Sequence, residues 1–336
     1  MKRFMLSMAL VLLIGIFSLP IGGEAGNKVN LAYVSDSPAS SAAYWVANDA
    51  GLFKKHGLDV DMIFINGSTR SVQSLVAGDL QFAGAVGTSA MNGSMAGGDI
   101  AIINGLVNTL PYYLIGNPEI KSPEDLKGRS AATHIPGTSA DFALRLALKR
   151  FGIPYQSIKA VMVGGAPARV AAVTSGQVDF AVVTEPGKIK GEQAGLRMIL
   201  DMAKLNIPFQ FTCTVTTRQL IRENPDVVQR MAKAMAEAIH YYKNHKPETI
   251  KIMQKYTRGQ SRDVLEGAYD AYQELFVADT YPTVEGLKNT LEVQSSWDPK
   301  AANAKVEDFV DLRFVDQLKK SGFITRLYGT SSMSRK

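Results

Sequence analysis

One segment of this chain occurs twice. Residues 67–86 (GSTRSVQSLVAGDLQFAGAV) align without a gap on residues 165–184 (GAPARVAAVTSGQVDFAVVT), setting Gly67 on Gly165, Val72 on Val170, Gly78 on Gly176 and Phe82 on Phe180. The same offset of 98 residues sets Pro38 on Pro136 and Ser41 on Ser139. A unit repeated over this length is expected to fold twice, giving two related lobes rather than one continuous core. Both copies run strand, Ser/Thr-rich turn, helix, strand, glycine turn, helix, strand. Such alternation implies βαβ units and mainly parallel sheets, so the expected class is α/β.

The strands read as Val29–Val34, Leu58–Ile65, Leu80–Gly84 and Ile100–Val107. The turn Ser35-Asp36-Ser37-Pro38 starts a helical stretch ending near Gly51, and Ser68–Ala77 is a helix closed by Gly78. Leu110–Asn117 leaves the first lobe, and Phe209–Thr216, after Pro208, returns as a strand. Two crossings then form a hinge. Beyond them Asn224 is placed to N-cap a helix with Pro225 at its first position, and Val227, Met231, Met235, Ile239 and Tyr242 form one apolar stripe. Further helices fit 261–276 and 307–320. Such a tail has no second sheet to cover and is expected to pack on lobe one. The organisation is therefore 26–110 plus 207–336 for lobe one and 111–206 for lobe two.

Residues 1–25 read as a secretory signal peptide. Lys2 and Arg3 precede an apolar run, Phe4–Leu19, followed by Pro20 and the small-x-small sequence Gly23-Glu24-Ala25. The run is shorter than the roughly 20 residues a membrane-spanning helix needs. Cleavage after Ala25 and export to a periplasm are expected, and no cysteine lies near that site to carry a lipid. The single cysteine, Cys213, excludes an intramolecular disulfide and any cysteine-based zinc or iron–sulfur site. With 37 Lys+Arg against 31 Asp+Glu the formal charge is +6, spread diffusely. Lys54-Lys55 and Lys319-Lys320 are isolated pairs without interleaved aromatics, so the footprint of a nucleic-acid binder is missing.

Turns at the carboxyl ends of the predicted strands hold small hydroxylated residues or glycine where helices start. They are Ser37, Ser40 and Ser41, then Gly67-Ser68-Thr69 and Gly87-Thr88-Ser89, and in the second lobe Gly137-Thr138-Ser139 and Gly164-Gly165. Helix N-termini carry unpaired N–H groups and partial positive charge, and open α/β sheets bind ligands at this edge. The same hydroxyls can instead cap their own helices. Arg169 is placed to clamp an oxyanion bidentately or to lie on the surface. Glu185 is placed to accept from a ligand amine or to tie down the hinge, and Tyr112 and Tyr44 to stack on a ligand or to pack inside. No G-x-S-x-G, G-x-x-x-x-G-K-[ST], G-x-G-x-x-G or H-E-x-x-H motif occurs, and His240 and His245 are five apart, the wrong spacing to share a helix face. No catalytic residue, cofactor or metal is expected. His134 precedes the Pro136–Ser139 turn and borders the expected site.

Residues 51–60, GLFKKHGLDV, resemble a signature of ABC-transporter substrate-binding proteins of the sulfonate, nitrate, taurine and thiamine-pyrimidine family. Ala77-Gly78-Asp79 before Phe82, Ile120–Gly128 (IKSPEDLKG), Gly137-Thr138-Ser139 before Asp141, and Ser175–Asp179 (SGQVD) follow in the same order. The resemblance covers roughly residues 28–220. It implies the two-lobed type II periplasmic binding fold, closing on a small solute for delivery to a membrane permease, with Gly137, Thr138 and Ser139 opposing Ser40, Ser68 and Thr88. Some relatives are enzymes that use cleft cysteines, and this chain has no cysteine before Cys213. A small anion of the sulfonate, nitrate or taurine kind is the first expectation. An aminopyrimidine, an exported lyase or hydrolase, and a ligand-sensing partner of a membrane protein stand as alternatives. A monomer is expected.

Overall fold

The computed structural model describes residues 27–257 and 259–329, so the expected signal peptide lies outside the described residues. The chain opens with β1 (Asn27–Tyr33), α1 (Pro38–Asp49), α2 (Leu52–Lys55), β2 (Leu58–Phe64), α3 (Ser68–Ala77), β3 (Phe82–Val86), α4 (Gly87–Met95) and β4 (Ile100–Gly105). It crosses to β5 (Tyr113–Gly116), β6 (Ser130–Thr133), α5 (Ser139–Arg150), β7 (Lys159–Met162), α6 (Ala166–Thr174), β8 (Phe180–Val183), α7 (Glu185–Gln193) and β9 (Arg197–Asp201). It returns as β10 (Thr212–Thr217). The tail is helical, with α8 (Arg218–Glu223), α9 (Pro225–Asn244), α10 (Lys246–Tyr256), α11 (Arg262–Leu275), α12 (Val284–Gln294), α13 (Pro299–Asn303), α14 (Arg313–Lys320) and α15 (Phe323–Tyr328).

The strands form two five-stranded sheets of matching order, β2-β1-β3-β10-β4 and β7-β6-β8-β5-β9. Each sheet pairs its first three strands in parallel and receives one antiparallel strand, and that strand is the one arriving from a crossing. β10 runs antiparallel to β3 and β4, as β5 does to β8 and β9. The repeat therefore sets a common plan for both lobes, but its offset is not constant. Phe82 pairs with Leu31, whereas Phe180 pairs with Ala131, so the first strands lie 100 residues apart and not 98. In consequence Pro38 opens α1 while Pro136 precedes α5, and the pairs Pro38/Pro136 and Ser41/Ser139 are not structurally equivalent.

Local chemistry explains most boundaries. Gly78 closes α3 in the left-handed conformation, φ +89°, which only glycine adopts without cost. β3 begins at Phe82 and not Leu80, because Gln81 turns its side chain to the ladder and accepts from Asn30 N at 2.8 Å. Asn224 occupies the N-cap position of α9 without making the side-chain bond, while Val227, Met231, Met235, Ile239 and Tyr242 are all buried. The helix expected over 307–320 forms only from Arg313, and α12 is an addition to the expected set.

α9 and α10 pack on α1 of the first lobe, while α11 also packs on α7 and α12 on α5 of the second. The crossings 106–112 and 202–211 lie side by side, with Met202 N donating to Tyr112 O at 2.9 Å and Phe211 N to Val107 O at 2.9 Å. Among the described residues no helix is long and apolar enough to cross a membrane.

Asp179 shows how the second lobe is tied. Its Oδ2 accepts from Ser130 N at 2.7 Å and Ser130 Oγ at 2.6 Å, joining the start of β6 to the entry of β8. Desolvation pushes its pKa up, but these donors and Arg129 outweigh it and hold the carboxyl below its usual range. A lowered folded pKa contributes stability that is fully present above the unfolded value near 3.9 and is lost as pH falls through the folded value. Asp179→Asn should therefore lower stability by about 1–2 kcal/mol at pH 7, and the gap to wild type in urea denaturation should close below about pH 4. A gap that stays constant down to pH 2.5 would contradict this account.

Candidate functional site

The carboxyl edges of both sheets face one cleft of about 930 Å³. Six helices of nine to twelve residues, α1, α3, α4, α5, α6 and α7, begin at this edge. Their N-cap residues are Ser37, Gly67, Val86, Thr138, Gly165 and Thr184, and none makes a side-chain cap bond. Ser68, Ser89 and Ser139 do not cap their helices either. Ser68 Oγ accepts from Val86 N at 3.2 Å, Ser89 Oγ lies 3.5 Å from Thr69 Oγ1, and Ser139 Oγ pairs with Tyr112 OH at 2.7 Å. Thr138 Oγ1 donates to Ile135 O at 2.7 Å. Gly87 N of α4 is taken by Gln210 O and Phe211 O, and Ser40 N and Gly187 N close onto the carbonyls of their own N-cap residues, Ser37 and Thr184. The other first-turn N–H groups and the positive ends of the helix dipoles are left for the cleft.

Arg169 is the best-placed charge. It is 5% exposed, with Nε donating to Val182 O at 2.7 Å and Nη1 donating to Gly164 O. These bonds fix the guanidinium between β8 and the turn before α6, and Nη2 has no protein partner among the described residues. Beside it, burial raises the Tyr112 phenol to about 12, with the Ser139 bond opposing. Burial, then the charge of Arg169, lowers the pKa of His134, so this imidazole is neutral at pH 7. Among the described residues its Nδ1 is buried without a hydrogen-bond partner. Arg70 and Lys190 also line the cleft, both exposed and, among the described residues, without ion pairs, and Asp36 is the one carboxylate that the described residues place on the lining. Three permanent cations against one carboxylate favour an anion.

The cleft brings together Ser37, Ser40, Gly67, Ser68, Thr69, Ser89, Tyr112, Gly137, Thr138, Ser139, Gly165 and Arg169. Five other sequence candidates lie off it. Ser41 and Tyr44 are on the inner face of α1, where Tyr44 OH donates to Cys213 O at 2.9 Å. Gly87 and Thr88 are buried at the start of α4, and a Cβ on Gly87 would meet Gln210 O at 2.5 Å. Glu185 sits behind the lining formed by its neighbours Thr184 and Pro186, with Oε1 accepting from Lys188 Nζ at 3.3 Å. Cys213 is fully buried in β10, its thiol pushed up by burial, so it supplies no cleft thiolate. Among the described residues no group of three or more His, Cys, Asp or Glu is placed to hold a metal ion.

Further residues outside the expected set line the cleft. Arg70 and Lys190 lie within the first two turns of α3 and α7, so their helix positions were a usable signal. Gln260, Val264, Leu265 and Ala268 reach the cleft from the tail, and nothing local marks them.

Two sheets of common order, a double crossing and a cleft between their carboxyl edges define a two-lobed protein of the periplasmic-binding-protein fold. The chain belongs to the NMT1/THI5-like family, whose profile matches residues 39–249. It is 30% identical over 265 residues to a candidate binding protein of Brucella abortus (strain 2308), covering 76% of this chain and 79% of that one. Among solved structures it is similar to the periplasmic aliphatic sulphonate-binding protein SsuA of Escherichia coli, with a TM-score of 0.72 at 18% identity over 85% of this chain and 92% of that one. It is also similar to the periplasmic nitrate-binding protein NrtA of Synechocystis PCC 6803, with a TM-score of 0.69 at 15% identity over 89% of each chain.

Proposed function

We propose that the chain captures a small oxyanion in the periplasm, between two closing lobes, and delivers it to an ABC importer. The observation that carries this reading is Arg169, held rigidly by two backbone carbonyls with its third nitrogen free at the cleft. Helix N-termini without side-chain caps and the excess of lining cations support it, as do similar proteins whose names specify sulphonate and nitrate. A solute that touches both lobes favours the closed state, because only there are all its contacts made. Moving the lobes from 1:99 to 99:1 closed takes roughly 5.5 kcal/mol of differential affinity, within reach of several charge-assisted hydrogen bonds. The aminopyrimidine reading needs a carboxylate facing the amine. Glu185 is turned behind the lining, which leaves that role to Asp36 at the exposed rim.

A thermal-shift screen of residues 26–336, followed by calorimetry, tests the proposal against alkanesulfonates, taurine, nitrate, carboxylates and aminopyrimidines. An oxyanion should raise the melting temperature in a concentration-dependent way. A shift confined to aminopyrimidines would overturn the anion reading, and turnover of a bound compound would replace the receptor with an enzyme.

A further inference from the structure

The turn that precedes α5 is held from behind. Asp141, fully buried in the first turn of that helix, accepts from Gly137 N at 3.0 Å and from Arg145 Nε at 2.9 Å on Oδ2, and from Tyr155 OH at 3.0 Å on Oδ1. Removing the cation from a buried pair leaves the carboxylate uncompensated and is strongly destabilising. The Arg145 guanidinium is kept in place by two aromatic faces, its Cζ lying 3.8 Å from the Tyr155 ring centroid and 4.7 Å from that of Trp297. Trp297 also packs on Phe142, with ring centroids 5.7 Å apart.

Trp297 comes from the C-terminal tail. It follows α12, with its N–H donating to Gln294 O at 3.0 Å, and Gln294 Nε2 donates to Asn92 of α4 at 2.8 Å. Leu287 and Leu291 of α12 pack into the core of the first lobe with Met91 and Ile102. Asn289 Nδ2 donates to Pro208 O, on the second crossing, at 2.9 Å. The ring is thus anchored to the first lobe and the hinge, and its face rests on an arginine of the second.

We infer that Trp297 and Arg145 are positioning residues: through Asp141, their stack sets the cleft turn of the second lobe from the first, so the tail and the turn at Gly137 are mechanically one unit. The inference rests on the proposed function only for its consequence, that solute affinity depends on this contact. The contact itself is tested without solute.

Amide hydrogen exchange at Gly137, followed by NMR in the solute-free protein, provides that test. Trp297→Leu keeps an apolar contact for Phe142 but removes the ring under the guanidinium, and should speed exchange at Gly137 about tenfold while leaving the β3 amides unchanged. Trp297→Phe, which restores a ring, should return the rate close to wild type, and Arg145→Met should exceed the leucine variant. Unchanged exchange at Gly137 in Trp297→Leu, or equal acceleration in Trp297→Leu and Trp297→Phe, overturns the inference. So does an increase spread equally over β3. Absence of any oxyanion shift in the thermal screen would count against the solute class alone, since these rates do not depend on it.

Discussion

Arg169→Ala should weaken solute binding about 100-fold, which corresponds to roughly 2.7 kcal/mol of lost charge-assisted hydrogen bonding. The same change should also lower stability, because Val182 O and Gly164 O lose the donors that now satisfy them. Each unsatisfied carbonyl costs about 1–3 kcal/mol, less where cleft water replaces the donor, so a loss of about 2–4 kcal/mol is expected. Arg169→Lys keeps the charge but cannot serve three directions from one planar group, and should fall between the two. Calorimetric titration separates affinity from stability, with urea denaturation reporting the second. A folded Arg169→Ala protein with wild-type affinity would remove the guanidinium from the site.

Gly137→Leu should abolish detectable binding while leaving the protein folded. Gly137 has φ +82°, and a Cβ built there meets nothing within 4 Å. The backbone cost for a residue with a side chain is therefore conformational, about 1–2 kcal/mol, with no clash added to it. The new side chain occupies open space at the cleft wall, beside Thr138 and Ser139, where the proposed solute would lie. Gly137→Ala carries the same backbone cost with little bulk, and should keep affinity within about tenfold of wild type. Wild-type affinity in the leucine variant, or a collapse of its melting temperature, would contradict the placement of this turn.

The repeat made the architecture legible, since one local pattern used twice requires two similar sheets. The helix Ser68–Ala77 was legible to the residue because an apolar stripe ends at a glycine suited to the left-handed cap. Which turn hydroxyls face the cleft was not legible, because neighbouring positions differ only in the rotation of one helix. Ser40 lines the cleft and Ser41 is buried one residue later, and Ser89 faces it while Thr88 does not. Glu185 failed for the same reason, between two residues that do line the cleft. The start of α12 did have a signal in Thr283, whose hydroxyl accepts from Gly286 N at 3.0 Å. The wall from α11 had none, since its apolar face reads the same whether it covers a core or a cavity.

The strand order fixes a schedule for synthesis. Every strand of the second sheet lies within residues 113–201, so all its partners are present once that stretch has emerged. In the first sheet β3 and β4 are not neighbours, and the gap between them is filled by β10, made more than a hundred residues after β4. Until then β3 and β4 each present an unpaired edge, the kind of surface that recruits foreign strands. The half of the molecule that is made first is thus the half that closes last.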